Sequence, residues 1–194
     1  FSTIISTNCT IEAITAINLR KNLEEKGYIV TGIASSGEQA FRKTEEEVPD
    51  LILMDIKLDG NIDGITTVKE LRSKYDIPVV YLTAHGDELT FTKAKSTEPN
   101  GYLIKPIIQN ELFSAIEIAL NRHIIENQLR REQVLMNHIA ATSPLPVLVY
   151  NWDGTIVYAN MRAEELLGLE KKLITDKFYC TPEWKMLTMD GQEV

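Results

Sequence analysis

Three residues in this chain of 194 have types and spacing suited to phosphoryl chemistry: Asp55, Thr83 and Lys105. Each closes or directly follows a short apolar run. Leu51-Ile52-Leu53-Met54 precedes Asp55, Val79-Val80-Tyr81-Leu82 precedes Thr83, and Tyr102-Leu103-Ile104 precedes Lys105. A carboxylate can attack phosphorus, an ammonium can offset the arriving charge, and a hydroxyl can donate to a phosphoryl oxygen. Taken singly they say less: Asp55 also reads as a cap on the next turn, Thr83 as a helix cap and Lys105 as a surface lysine. Their joint placement after three different strands is what points to a site.

The elements that must position them follow from the pattern. Leu51 to Met54 is apolar without alternation, as expected of a strand buried on both faces in the middle of a parallel sheet. Asp55 then lies at the carboxyl edge, where open α/β sheets do their chemistry. Upstream, Thr3-Ile4-Ile5 reads as a strand, Glu12 to Lys26 as a helix stopped by Gly27, and Tyr28 to Ala34 as a second strand. A helix opens after Ser35-Ser36-Gly37 and ends before Pro49; a glycine-rich loop from Asp59 to Gly64 leads into another, running to about Lys74. A polar helix is expected over roughly Asp87 to Lys95, and a last one from near Asn110, with Leu112, Ile116, Ala119 and Leu120 facing inward. Five strands alternating with five helices predict a doubly wound α/β domain with a parallel sheet.

That last helix has no obvious stop. Arg122 to Ala141 lacks Pro and Gly, and Ile125, Leu129, Met136 and Ile139 fall near 4-3 spacing, with Glu132 interrupting the seam. The stretch reads either as a solvated connector or as a weak coiled coil carrying a parallel homodimer. Thr142-Ser143-Pro144-Leu145-Pro146 ends it. Beyond, Val147 to Asn151 and Thr155 to Ala159 flank Asp153-Gly154 as a hairpin, and Asn160 caps a short helix stopped by Gly168. His123 and His138 on the connector, and His85, read as solvated surface. The expected domains are 1–121, a connector over 122–141, and 142–194.

Composition excludes several classes. A net charge of −8 leaves no excess of Lys and Arg to neutralise nucleic-acid phosphates or an anionic membrane surface. No apolar run approaches the roughly 20 residues of a bilayer span. Cys9 and Cys180 form no metal or redox spacing, which fits a reducing, cytoplasmic setting. The chain begins without Met and stops after Asp190-Gly191, in what reads as a hairpin, so it is expected to be part of a longer protein.

The runs ending at Asp55, Pro78 to Ala84, and Gly101-Tyr102-Leu103-Ile104-Lys105-Pro106 together resemble the CheY-like response-regulator receiver domains, over about residues 1–121. The resemblance implies a flavodoxin-like five-stranded sheet in the order 2-1-3-4-5 and a cis peptide at Lys105-Pro106. It implies Asp55 as phosphoacceptor, Thr83 as switch hydroxyl, Tyr102 as the coupled aromatic and Lys105 as the phosphate-contacting lysine. It also implies Mg²⁺, held by Asp55, the backbone carbonyl of Lys57 and two adjacent acids after the first strand. The acid pair is not found. Counting from Ile4-Ile5 puts it at Ser6-Thr7 or Thr7-Asn8, and counting back from Gly27 puts it at Thr10-Ile11; only Glu12 lies nearby. One carboxylate beside a lysine makes little demand for a hard divalent cation that keeps its waters, so Mg²⁺ is expected to bind weakly or not at all.

Ser143 to Tyr150, Asp153 to Asn160 and Ala163 to Gly168 resemble the start of a PAS sensory domain, giving a partial α+β region with no assignable ligand. An appendage used for dimerisation is the plainer alternative. The expected function is a two-component module in which Asp55 accepts a phosphoryl group from a histidine kinase or phosphotransfer protein and the connector relays the change. The alternative is a phosphorylation-independent pseudo-receiver, a binding and dimerisation platform. The receiver itself is not expected to be an enzyme beyond its own phosphorylation chemistry, with a sensor histidine kinase one candidate parent. A haloacid-dehalogenase-like phosphatase is disfavoured because Ile56-Lys57-Leu58, rather than Asp-x-Thr, follows Asp55. A DNA-binding effector is disfavoured for want of a basic recognition helix.

Overall fold

The computed structural model describes residues 3–7, 13–84, 93–94, 96–168 and 174, the first and the start of the second range by backbone alone. The chain divides into two compact units, residues 1–127 and 128–194.

The first unit holds strands β1 (Thr3–Thr7), β2 (Ile29–Ala34), β3 (Leu51–Asp55), β4 (Val79–Thr83) and β5 (Gly101–Ile104). All pairings are parallel and the spatial order is β2-β1-β3-β4-β5, as the resemblance implied. Helices α1 (Ala13–Glu25), α2 (Gly37–Glu46), α3 (Gly64–Lys74) and the start of α4 (Gln109–Thr142) pack on it. The unalternating strands are buried on both faces: every residue of β3 and β4 is buried. The pleat sends alternate side chains to opposite faces. Ile52, Met54, Val79 and Tyr81 join the core with Ala40, Ile65, Val68 and Leu71. Leu51, Leu53, Val80 and Leu82 join Leu19, Leu23, Leu112 and Ile116 on the other face.

Local chemistry sets the helix ends. The Ser36 hydroxyl accepts from Gln39 N and caps α2, and the Asp63 carboxylate accepts from Thr66 N and caps α3. Gly27, at φ +88°, turns the chain out of α1 in a conformation that side chains resist. Most of the helix expected over 87–95 lies outside the described residues.

Helix α4 runs without a break to Thr142. Ile125, Leu129, Met136 and Ile139 on it are all more than half exposed. His123 departs from the solvated reading. Its side chain is only 19% exposed, with Nδ1 4.0 Å from Asp76 Oδ1 and Nε2 3.0 Å from Asn127 Nδ2. The loop before β4 covers it, a long-range contact that no pattern along the helix encodes.

The second unit contains the remainder of α4, the antiparallel pair β6 (Leu148–Tyr150) and β7 (Ile156–Ala159), and α5 (Met161–Leu167). The hairpin closes where Asp153-Gly154 placed it: Asn151 N donates to Thr155 O, and Gly154 has φ +87°. Ile156, Ala159, Ala163 and Ile174 form a small core. The expected turn at Asp190-Gly191 lies outside the described residues.

Candidate functional site

Three strand ends meet at one edge of the sheet. Asp55, the last residue of β3, pairs in register with Leu82, and Thr83, the last of β4, pairs with Ile104. Backbone hydrogen bonds fix the edge: Ile56 N donates to Leu82 O at 3.2 Å and Lys105 N to Thr83 O at 2.8 Å. The Lys105-Pro106 peptide that follows is cis, as the resemblance implied. Lys105 is thereby held against the end of β4, and its side chain reaches Asp55 across fifty positions of sequence, with Nζ 2.7 Å from Oδ2. The pair is well covered, 5% exposed for the carboxylate and 17% for the lysine. Asp55 Oδ1 accepts from Lys57 N at 3.0 Å. A charge-assisted bond of this length in a covered site is stronger than a neutral one. The structure thus brings Asp55 and Lys105 together, with the backbone N–H of Lys57 as a further donor.

The loop from β3 to α3 is held close to Asp55. Gly64 N donates to Ile56 O at 3.0 Å, and a Cβ on Gly64 would collide with the backbone oxygen of Asp55. Asp59 N donates to Ser35 O at 3.1 Å, tying the loop to the turn after β2. Thr83 is buried and its Oγ1 donates to Ala84 O at 3.3 Å. Tyr102 is half-buried in β5, two residues before its end, with burial raising its hydroxyl pKa, and its ring lies 5.9 Å from that of Tyr81.

Sequence reasoning missed what lies beneath Tyr102. Tyr81 is fully buried, and its hydroxyl is 3.0 Å from Thr97 Oγ1. The Thr97 hydroxyl donates to Ala94 O at 2.7 Å, so its proton is committed and Tyr81 is the donor between the two. Burial pushes the Tyr81 phenol up to about 12. Arg72, near the end of α3, donates to Thr97 O, to Glu98 O and to Asn100 Oδ1. Asn100 also bonds both backbone groups of Val79, pinning the turn to β4. A hydroxyl within an otherwise apolar strand run was the one available signal.

Glu12 and residues 8–11 lie outside the described residues, and Ser6-Thr7 at the end of β1 is described by backbone alone. Among the described residues no group of three or more His, Cys, Asp or Glu side chains is placed to hold a metal ion. The Lys105 ammonium and the Lys57 N–H both donate to carboxylate oxygens that a cation at Asp55 would share. Beside Lys105 a cavity of about 480 Å³ opens between α1 and the start of α4, lined by Asn18, Asn22, Pro106, Gln109 and Leu112.

Comparison with known proteins follows the same division. Residues 12–117 match the family model described as the response regulator receiver domain, and residues 135–192 match a PAS domain. The transcriptional regulatory protein PdtaR of Mycobacterium tuberculosis is 36% identical over 111 residues, 57% of this chain and 54% of that protein. The chain therefore spans about half the length of the curated relatives it matches. Among solved structures, the signal receiver domain of a modulated diguanylate cyclase from Desulfovibrio desulfuricans is 33% identical with a TM-score of 0.61, covering 65% of this chain and 98% of that one. The N-terminal domain of a response regulator/sensory box/GGDEF protein from Carboxydothermus hydrogenoformans is 32% identical with a TM-score of 0.58, covering 64% and 98%.

Proposed function

The chain belongs to the response regulator receiver family, and from that premise we propose that Asp55 accepts a phosphoryl group and that the change is relayed through α4 to the PAS-like unit. A receiver followed by a PAS domain is a two-component signalling arrangement. The observation that carries the finer reading is the Asp55–Lys105 pair at the ends of β3 and β5. In the proposed reaction a carboxylate oxygen of Asp55 attacks phosphorus in a phosphohistidine of a kinase or phosphotransfer protein. The P–N bond breaks, the imidazole leaves with its electron pair and takes up a proton, and an acyl phosphate remains. Lys105, already directed at the carboxylate, offsets the one to two negative charges that arrive. Thr83, one strand away, is the hydroxyl proposed to follow them, with Tyr102 moving in concert.

The reading assigns no step to Mg²⁺, and weak or absent metal binding is part of the proposal, supported by the absence of an acid pair after the first strand and by the pairing of Asp55 with Lys105. The same observation favours a second reading, a pseudo-receiver that serves as a binding platform. With no acid pair after the first strand, Asp55 and Lys105 can pair without a metal, and the fold then serves as the platform. A homodimer through the exposed Ile125 and Leu129 face of the connector suits either reading.

Intact-mass analysis after incubation with acetyl phosphate, with and without Mg²⁺ and with Asp55→Asn as control, separates them. Gain of one phosphoryl group in the wild type but not in Asp55→Asn is the result expected of the phospho-switch. No gain at any Mg²⁺ concentration overturns it in favour of the pseudo-receiver.

A further inference from the structure

We propose that Asn160 is the joint that locks the end of the connector helix to the PAS-like unit, so that a displacement of α4 enters that unit through one side-chain amide. The residue is 2% exposed and uses its whole side chain. Oδ1 accepts from Ala163 N at 2.9 Å and from Val147 N at 2.8 Å. Nδ2 donates to Ala140 O at 2.9 Å and to Leu145 O at 2.9 Å. The four partners lie in α5, immediately before β6, in the last turn of α4 and in the link between α4 and β6.

The choice of an amide is informative. Capping α5 requires only an acceptor, and Ser, Thr or Asp would serve as well. The two donors do nothing for α5. They go to carbonyls that the chain's own termination signal leaves in need: Ala140 O would be paired in a continuing helix by the N–H of residue 144, which is Pro144 and has none. Asn160 supplies that hydrogen bond from twenty positions downstream. Its own backbone N–H donates to Val147 O at 3.1 Å, so it and Val147 are bonded reciprocally. Shifting the last turn of α4 against β6 or α5 therefore breaks hydrogen bonds in a buried site, where an orphaned group finds no water. The end of the helix and the start of the PAS-like unit move as one body. Asn160 touches no reacting atom; it is a positioning residue.

The test separates capping from coupling and is run on the full, unphosphorylated chain. Asn160→Asp keeps both acceptor roles, removes both donors and sets a carboxylate against two carbonyls. Amide exchange is expected to rise about tenfold over residues 139–148, as follows from losing buried hydrogen bonds, while Glu164 to Leu167 in the capped α5 stay within about twofold of wild type. Adding Pro144→Ala to Asn160→Asp restores a backbone N–H for Ala140 O and is expected to recover most of the protection at 139–142. Unchanged exchange at 139–148, loss of α5 protection in parallel with it, or no recovery in the double variant each overturns the joint. Phosphoryl uptake at Asp55 is expected to be unaffected by Asn160→Asp, so failure of the phospho-switch and failure of the joint are read independently.

Discussion

The buried phenol of Tyr81 makes a quantitative prediction through Tyr81→Phe. At neutral pH the change removes a hydrogen bond to Thr97 Oγ1 and leaves that oxygen, whose proton is committed to Ala94 O, short of a donor. One net buried hydrogen bond plus part of an orphaned acceptor amounts to about 1–2 kcal/mol of lost stability. The sign changes with pH. Burial raises the phenol from 10.0 to about 12 in the folded protein, so the stability it represents is complete below pH 10 and is lost as pH rises toward 12, where only the unfolded chain ionises. Because a tenfold change in proton concentration is worth about 1.4 kcal/mol for each proton bound, the loss in the wild type is about 1.4 kcal/mol by pH 11 and at most about 2.7 kcal/mol beyond pH 12. Tyr81→Phe has no such loss, so the stability gap between the two proteins is expected to close near pH 11 and then to reverse. Urea unfolding followed by far-ultraviolet circular dichroism at pH 7, 9 and 11 measures it. Tryptophan fluorescence would report the wrong unit, because Trp152 and Trp184 both fall in residues 128–194. Tyr28 is also raised by burial, but it contributes equally to both proteins and cancels in the difference. A gap that stays constant from pH 7 to 11, or a variant more stable than wild type at pH 7, refutes the reasoning.

Other perturbations test the supports of the same edge. Gly64→Ala is expected to cost about 3 kcal/mol, seen as a lowered Tm, because its Cβ meets the backbone oxygen of Asp55, with Ile56 Cα at 3.1 Å; an unchanged Tm would mean that the loop has room the structure does not give it. Arg72→Gln removes the guanidinium that holds Thr97, Glu98 and Asn100, and amide exchange over 96–101 is expected to rise about tenfold, with no rise counting against Arg72 as the clamp. Ile125→Asp together with Leu129→Asp is expected to convert a dimer to a monomer in light scattering, since both side chains are more than half exposed on α4. A dimer of unchanged mass would place the interface elsewhere.

Much of this protein is legible from local pattern. Unbroken apolar runs at Leu51 to Met54 and Val79 to Leu82 required strands covered on both faces, and alternating strands and helices required parallel pairing, because hairpins cannot join parallel neighbours. Ser35-Ser36-Gly37 and Asn160 announced helix starts, and Gly27 and Gly168 helix stops, since capping is a matter of a few adjacent residues. The edge shared by Asp55, Thr83 and Lys105 was deducible as well, because a parallel sheet puts every strand's carboxyl end on one side.

What the sequence left open depends on contacts between distant residues. That Lys105 reaches Asp55 at 2.7 Å, rather than extending into water, follows from the register of β4 with β5 and the anchoring of its own N–H on Thr83. His123 looked solvated along the helix and is covered by the loop bearing Asp76. Tyr81 read as one more β-strand aromatic, and only the fold placed a threonine within reach of its hydroxyl. Asn160 was visible as a cap because the residues it caps follow directly. Its second role was not, because the carbonyl orphaned by Pro144 and the amide that satisfies it are twenty residues apart, and only tertiary packing brings such groups within hydrogen-bonding distance.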